Sequence, residues 1–222
     1  MPFDDELAPL KEGAWREVAA LDEALLRGEI DEEGWHRAVA ELVVPAYLSA
    51  DTPWGQSGKS GDAQGWEYAR SLLADAVDRD GTFLDVGCAN GYLMECIVRW
   101  AEPYRIEPYG LEIAPELAEL ARRRLPHWAD RIFVGNALHW EPPFRFTFIR
   151  TGLEYVPHTL RRQLVAHLGS YCERLIIGVF NEERDQRAVE LEIENWGCRI
   201  AGRTERPHRH PRLAYRAFWI DG

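Results

Sequence analysis

Lysine is nearly absent from this chain of 222 residues: Lys11 and Lys59 are the only two, and every other basic residue is arginine. That bias reads as genome composition before it reads as function. Cysteine is also scarce. Cys88, Cys96, Cys172 and Cys198 stand apart, form no CxxC pair and lack the spacing of a zinc site or a secreted disulfide framework. The expectation is a reduced, cytoplasmic protein with no structural metal. No run approaches the ~20 apolar residues of a membrane span, and the acidic start MPFDDELAPL lacks the basic and apolar parts of a signal peptide. A cationic surplus is missing too. With 26 basic and 37 acidic residues the net charge is −11, which disfavours bulk nucleic acid and anionic membranes as partners. What remains is a globular domain with a sizeable core and a modest extension.

The extension comes first. In residues 1–50, Leu7, Leu10, Trp15, Val18, Leu21 and Leu25 recur at helical spacing, which predicts an amphipathic helix. A second helix is expected from an N-cap at Asp31 to Val44, where Pro45 discourages continuation. The stretch SADTPWGQSGKSGDAQG, 49–65, has no periodicity and reads as a loop: either a linker, or a mobile lid that uses Trp54 to cover a ligand. The expected division is an extension and lid loop, 1–61, and a main domain, 62–222.

The main domain alternates. A helix over 62–79 precedes strand 82–87, helix 91–101, strand 106–112, helix 115–124, strands 131–135 and 145–150, helix 158–170 and strand 174–180. A helix over 182–195 follows, then CRIAGRTE and RLAYRAFWI around RPHRHPR. Such alternation predicts an α/β fold: a mostly parallel sheet with helices on both faces, closed by an antiparallel C-terminal hairpin. Ligands of open parallel sheets sit beyond the carboxyl ends of the strands, next to the point where strand order reverses.

The junction FLDVGCANGYLMECI, 83–97, lies at such an end. Gly87 and Gly91 are spaced GxxxG with no third glycine, so the GxGxxG pattern of a nicotinamide or flavin site is incomplete, and no GK[ST] marks a phosphate loop. Asp85 would repel a pyrophosphate and attract an ammonium or sulfonium. The stretch LDVGCANG resembles motif I of the class I S-adenosylmethionine-dependent methyltransferases, with Ala89 where a second glycine commonly stands. The resemblance covers about 80–222 and implies a Rossmann-like seven-stranded sheet with S-adenosylmethionine as cofactor. It places Asp85, Gly87, Cys88, Ala89 and Gly91 in the cofactor cradle. In PYGLEIAPELAELAR, Glu112 falls at the end of the second strand, where the family has an acid for the ribose hydroxyls, and Ile113 follows it. In IFVGNALHW, Asn136 replaces the family's aspartate at the adenine, with Ala137 beside it; the Asn136 carbonyl oxygen would accept from the adenine amino group. FTFIRTGLEYVPH resembles the segment written LEHVP in small-molecule methyltransferases, with Tyr155 in the histidine's place. Glu154, Tyr155 and His158 are the candidates for a catalytic role.

Each residue has a plainer reading. Asp85, Gly87 and Gly91 fit an ordinary strand-to-helix turn, and Glu112 fits a helix-entry acid ahead of Pro115. Trp140 suits core or pocket wall, Trp66 and Tyr68 a helix face, and His139 follows Asn136 closely. Six arginines against one glutamate in 199–216 suggest a local basic patch, a site for an anionic substrate or acidic partner, or only a solvated loop; His208 and His210 are weak metal candidates. The functional expectation is a methyltransferase acting on a small molecule. The rivals are a dehydrogenase of the same fold, a non-catalytic cofactor-binding or interaction protein, and an RNA methyltransferase, which the arginine-rich hairpin keeps open. Oligomeric state is not legible.

Overall fold

The computed structural model describes residues 15–59, 61–185 and 187–222. Seven strands, β1 (Gly81–Val86), β2 (Ile106–Glu112), β3 (Ile132–Val134), β4 (Phe146–Thr151), β5 (Cys172–Glu183), β6 (Gly202–Pro207) and β7 (Leu213–Asp221), form one sheet in the order β3-β2-β1-β4-β5-β7-β6. The pairs among β1 to β5 are parallel, and β7 runs antiparallel between β5 and β6. The hairpin expected at the C-terminus is therefore present, with its second strand inserted into the sheet.

Strand residues alternate between two cores, as the twofold strand period requires. Phe83, Phe148, Ile176 and Ala217 pack on one face; Leu84, Ile149, Ile177 and Phe218 pack on the other. Counting two N-terminal helices, α1 (Trp15–Leu26) and α2 (Glu32–Ser49), the first face is covered by α3 (Ala63–Arg70), the 3-10 turns Ser71–Ala76 and α4 (Tyr92–Trp100). The second is covered by α6 (Arg161–Ser170) and α7 (Ala188–Asn195), while α5 (Pro115–Arg124) closes a smaller cluster beside β3 with Cys88 and Met94. From β1 the chain moves outward to β2 and β3, then returns to β4 on β1's other side. That reversal opens a crevice at the ends of β1 and β4.

Several element ends differ from expectation. Leu7 and Leu10, and the side chain of Trp15, lie outside the described residues; Val18, Leu21 and Leu25 do pack together, around Trp35 and Val39 of α2. Trp35 is fully buried and its indole N–H donates to Asp22 Oδ1 at 2.9 Å. The Asp31 cap is in place, accepting from the Gly34 amide at 2.8 Å. Yet α2 passes through Pro45 and ends at Ser49. The last turn is held by packing instead, because Val44 and Tyr47 sit on Ala89, Ala114 and Leu117. The helix expected over 62–79 is α only to Arg70, then tightens into 3-10 turns that bury Leu72, Leu73 and Ala76. β5 runs on to Glu183 because β7 pairs with its far end, so the helix expected from 182 starts at Ala188.

Gly91 starts α4 at φ +74°, and a Cβ there would lie 2.7 Å from Leu125 Cδ1. Gly91→Ala should therefore cost about 2–4 kcal/mol, the sum of left-handed strain and overpacking. Urea unfolding with an unchanged midpoint would show that this turn tolerates a side chain.

Candidate functional site

A cavity of about 250 Å³ lies at the strand reversal, lined from below by Asp85, Gly87, Cys88, Ala89, Glu112 and Asn136 and from above by α2. Its floor is organised by one carboxylate. Glu112, 5% exposed at the end of β2, accepts from the Ala89 amide at 2.8 Å through Oε2 and from the Ala114 amide at 3.0 Å through Oε1. Burial pushes its pKa up, and the amides of Ala114, Ala89 and Ile113 pull it back towards the ionised form. A carboxylate has about four acceptor directions, so with three amides bound it keeps one for a ligand. The turn it grips is unusual: Gly87 and Gly91 have φ +74°, and Ala89, without glycine's freedom, has φ +48°. A Cβ on Gly87 would meet nothing within 4 Å, so the backbone there borders open space.

Beside this turn, Asp85 is 2% exposed and pairs with Arg150 Nη1 of β4 at 3.2 Å. Desolvation outweighs the pair, and the Asp85 carboxyl is pushed up to about 6 even though Arg150 and Arg70 both favour its charged form. Arg150 and Arg70 line the cavity and lie over the Phe180 ring at 5.9 and 3.4 Å from its centroid. One end of the cavity thus holds two guanidinium groups and one carboxylate within a mostly apolar wall.

The roof is tied to the floor at two places. Asn90, fully buried within LDVGCANG, accepts from Ser57 Oγ at 2.6 Å and donates to Pro53 O at 3.0 Å and Gln56 Oε1 at 3.2 Å. Its Oδ1 also accepts from the Tyr92 amide, capping α4. The loop that carries no periodicity is therefore fastened to the cofactor-motif turn, with Trp54 packed against the first core and its N–H donating to Gly61 O. At the other place, Glu32 of α2 accepts from Asn136 Nδ2 at 3.1 Å and contacts His139 Nε2 at 2.8 Å.

Among the residues named from sequence, Asp85, Gly87, Cys88, Ala89, Glu112, Ile113, Asn136, Ala137, Glu154 and Tyr155 all line this cavity. Gly91 stands behind it at the start of α4. His158 is not among the lining residues: it is 62% exposed and faces Glu192 of α7 at 3.3 Å. Trp140 stacks near Phe133 against the second core. Half of the six arginines of the arginine-rich hairpin are paired with acids among the described residues. Arg203 meets Glu190, Arg212 meets Glu183, and Arg216 meets Glu182 and Glu205. His208 and His210 accept backbone amides within their own turn. Among the described residues no group of three or more His, Cys, Asp or Glu side chains is arranged to hold a metal, and no helix is long and apolar enough to cross a membrane.

Sequence reading missed Glu32, His36, Arg70, Asn90 and Arg150. His36 projects from α2 into the cavity wall, its Nε2 buried without a hydrogen-bond partner and 3.9 Å from Glu32 Oε1; burial favours its neutral form, against the pull of Glu32. Nothing local in GWHRAV signals that position; only the docking of α2 creates it.

This strand order and crevice constitute the class I methyltransferase fold. No family model and no curated protein matches the chain. Solved structures do. The N-methyltransferase NodS from Bradyrhizobium japonicum WM9, in complex with S-adenosyl-L-homocysteine, is 14% identical with TM-score 0.60 over 82% of this chain and 97% of its own. The glycopeptide N-methyltransferase MtfA is 14% identical with TM-score 0.57 over 78% and 100%. Magnesium protoporphyrin IX methyltransferase ChlM from Synechocystis PCC 6803, with bound S-adenosylmethionine, is 14% identical with TM-score 0.54 over 76% and 89%.

Because the Asp85 pKa of about 6 lies above its unfolded value of 3.8, the folded state holds the extra proton between those limits. Asp85 therefore favours folding most at low pH and loses that contribution as pH rises through about 6. Relative to Asp85→Asn, the native protein should lose on the order of 2–3 kcal/mol of unfolding free energy between pH 4 and 7. Parallel pH profiles for the two proteins would contradict the burial of an ionising carboxyl here.

Proposed function

We propose that the chain is an S-adenosylmethionine-dependent methyltransferase acting on a small molecule. The observation that carries this reading is Glu112, a buried carboxylate at the end of β2 that shapes the LDVGCANG turn and lines the cavity with acceptor capacity to spare. That chemistry fits a ribose diol, whose two hydroxyls need an anionic acceptor. The open side of Gly87 leaves room for a ligand to approach backbone, and the Asp85 end suits an ammonium beside a carboxylate that Arg70 or Arg150 can meet. The residues present therefore fit the amino-acid and nucleoside parts of the cofactor. The bound states of NodS and ChlM support the same choice.

When bound, the cofactor supplies a methyl group activated by its sulfonium, transferable by in-line displacement at carbon. The protein's part is then to position an acceptor and exclude water. Val39, Ala40, Val43 and Tyr47 of α2 give the cavity an apolar ceiling, and the Asn90 anchor holds the 53–57 segment over the floor. In this reading α2 and the 53–57 segment serve the main domain as a roof. Tyr155 packs against the α1–α2 cluster, and Glu154 lies next to it on the cavity wall. An acceptor hydroxyl or amine would lose its proton to a neutral base; His36 Nε2 meets that description, while His158, turned towards Glu192, does not reach the cavity. A small acceptor is favoured over RNA because α2 roofs the cavity and three of the six hairpin arginines, Arg203, Arg212 and Arg216, are paired with acids.

Calorimetric titration should show micromolar binding of S-adenosylmethionine and S-adenosylhomocysteine and none of NAD. Glu112→Gln, which keeps an oxygen for one backbone amide but removes the charge, should weaken binding by about tenfold or more, and Glu112→Ala further, a loss of ~1.5–3 kcal/mol for a charge-assisted bond. Unchanged affinity in folded variants would remove Glu112 from the site; absence of binding by the parent protein would remove the cofactor.

A further inference from the structure

The Asn136 end of the cavity is assembled from two distant parts of the chain. Asn136 Oδ1 accepts from the Leu138 amide at 3.0 Å, and its Nδ2 donates to Glu32 Oε1 at 3.1 Å. These partners fix the orientation of the amide by chemistry alone. A backbone N–H requires the oxygen, and a carboxylate requires the nitrogen. Nδ2 has two hydrogens; Glu32 takes one, and the other has no partner among the described residues. Since Asn136 lines the cavity, the position offers a ligand an N–H donor. The oxygen expected to face an adenine amino group already accepts from Leu138 with one of its two lone pairs, and the amide adds a donor beside it. An aspartate at this position would face the Glu32 carboxylate across the same 3.1 Å and meet like charge.

We propose that Glu32 is a specificity-determining residue of the cofactor site. It locks Asn136 as a hydrogen-bond donor towards the ligand's purine, selecting a ring-nitrogen acceptor there, and it makes docking of α2 part of the same recognition. Glu32 begins α2 behind the Asp31 cap, and the same Oε1 that accepts from Asn136 also contacts His139 Nε2 at 2.8 Å, so its carboxylate reaches Asn136 only with the roof helix in place. The inference rests on the reading that the cavity takes S-adenosylmethionine.

The test combines titration with S-adenosylhomocysteine and hydrogen exchange of the α2 amides. Glu32→Gln, which still accepts from Asn136, should leave both near the parent. Glu32→Ala should weaken binding about tenfold and expose α2 to exchange. Asn136→Asp should do the same through repulsion. The double variant E32Q/N136D should regain α2 protection, because the introduced glutamine amide can donate to the introduced carboxylate, while binding stays about tenfold weak for want of the donor; regained protection also shows that the single variant had not merely unfolded. If Glu32→Ala binds within twofold of the parent with α2 still protected, or if the double variant recovers full affinity, the proposal fails while the cofactor reading stands. A parent protein that binds neither S-adenosylmethionine nor S-adenosylhomocysteine overturns both.

Discussion

The structure depends on the two hydrogen bonds that Glu112 accepts, at 2.8 Å from Ala89 and 3.0 Å from Ala114. They join the turn after β1 to the turn after β2, and so fix the width of the crevice at the strand reversal. Burying a carboxylate is costly, and the raised pKa of Glu112 records part of that cost. Backbone amides that would otherwise be orphaned in these turns offset it. The same bond restrains Ala89 at a positive φ that alanine seldom adopts. A floor shaped this way is preorganised before any ligand arrives.

Above that floor lies α2. Asn90 is both the cap of α4 and the hook for the 53–57 segment, so cradle and lid share one side chain. Val44 and Tyr47 press on Ala89, Ala114 and Leu117, the residues around the Glu112 bonds. A mechanical consequence follows: displacing the roof disturbs the packing of the cradle, and a ligand that orders the cradle favours the closed roof. The buried Asp85–Arg150 pair adds electrostatic demand, because an incoming ammonium would favour the ionised form of Asp85 that burial disfavours.

Much of the main domain was legible because its signals are local. The bounds expected for the second strand and the helix after it coincide with Ile106–Glu112 and Pro115–Arg124, where strand alternation gives way to proline at the first helical turn. The acid, glycines and spacing of LDVGCANG likewise need no distant partner to be seen. Pro45 misled because its local cost is overridden by burial of Val44 and Tyr47 against α5 and its approach. The partners of Arg203, Arg212 and Arg216 in the basic hairpin were equally hidden: Glu190, Glu183 and Glu182 come from α7 and β5. Glu32 and Asn136 lie on separate elements, as do Ser57 and Asn90, and nothing in one sequence announces that they meet.

The most direct test of the central claim is a crystal structure of the chain grown with S-adenosylhomocysteine. The ribose hydroxyls should lie within hydrogen-bond distance of the Glu112 carboxylate, the amino-acid end beside Asp85, and α2 closed above with Glu32 on Asn136. Ligand density away from the Gly87–Glu112 floor, or an ordered ligand there with Glu112 making no contact to it, would contradict the claim that this carboxylate builds the cofactor site.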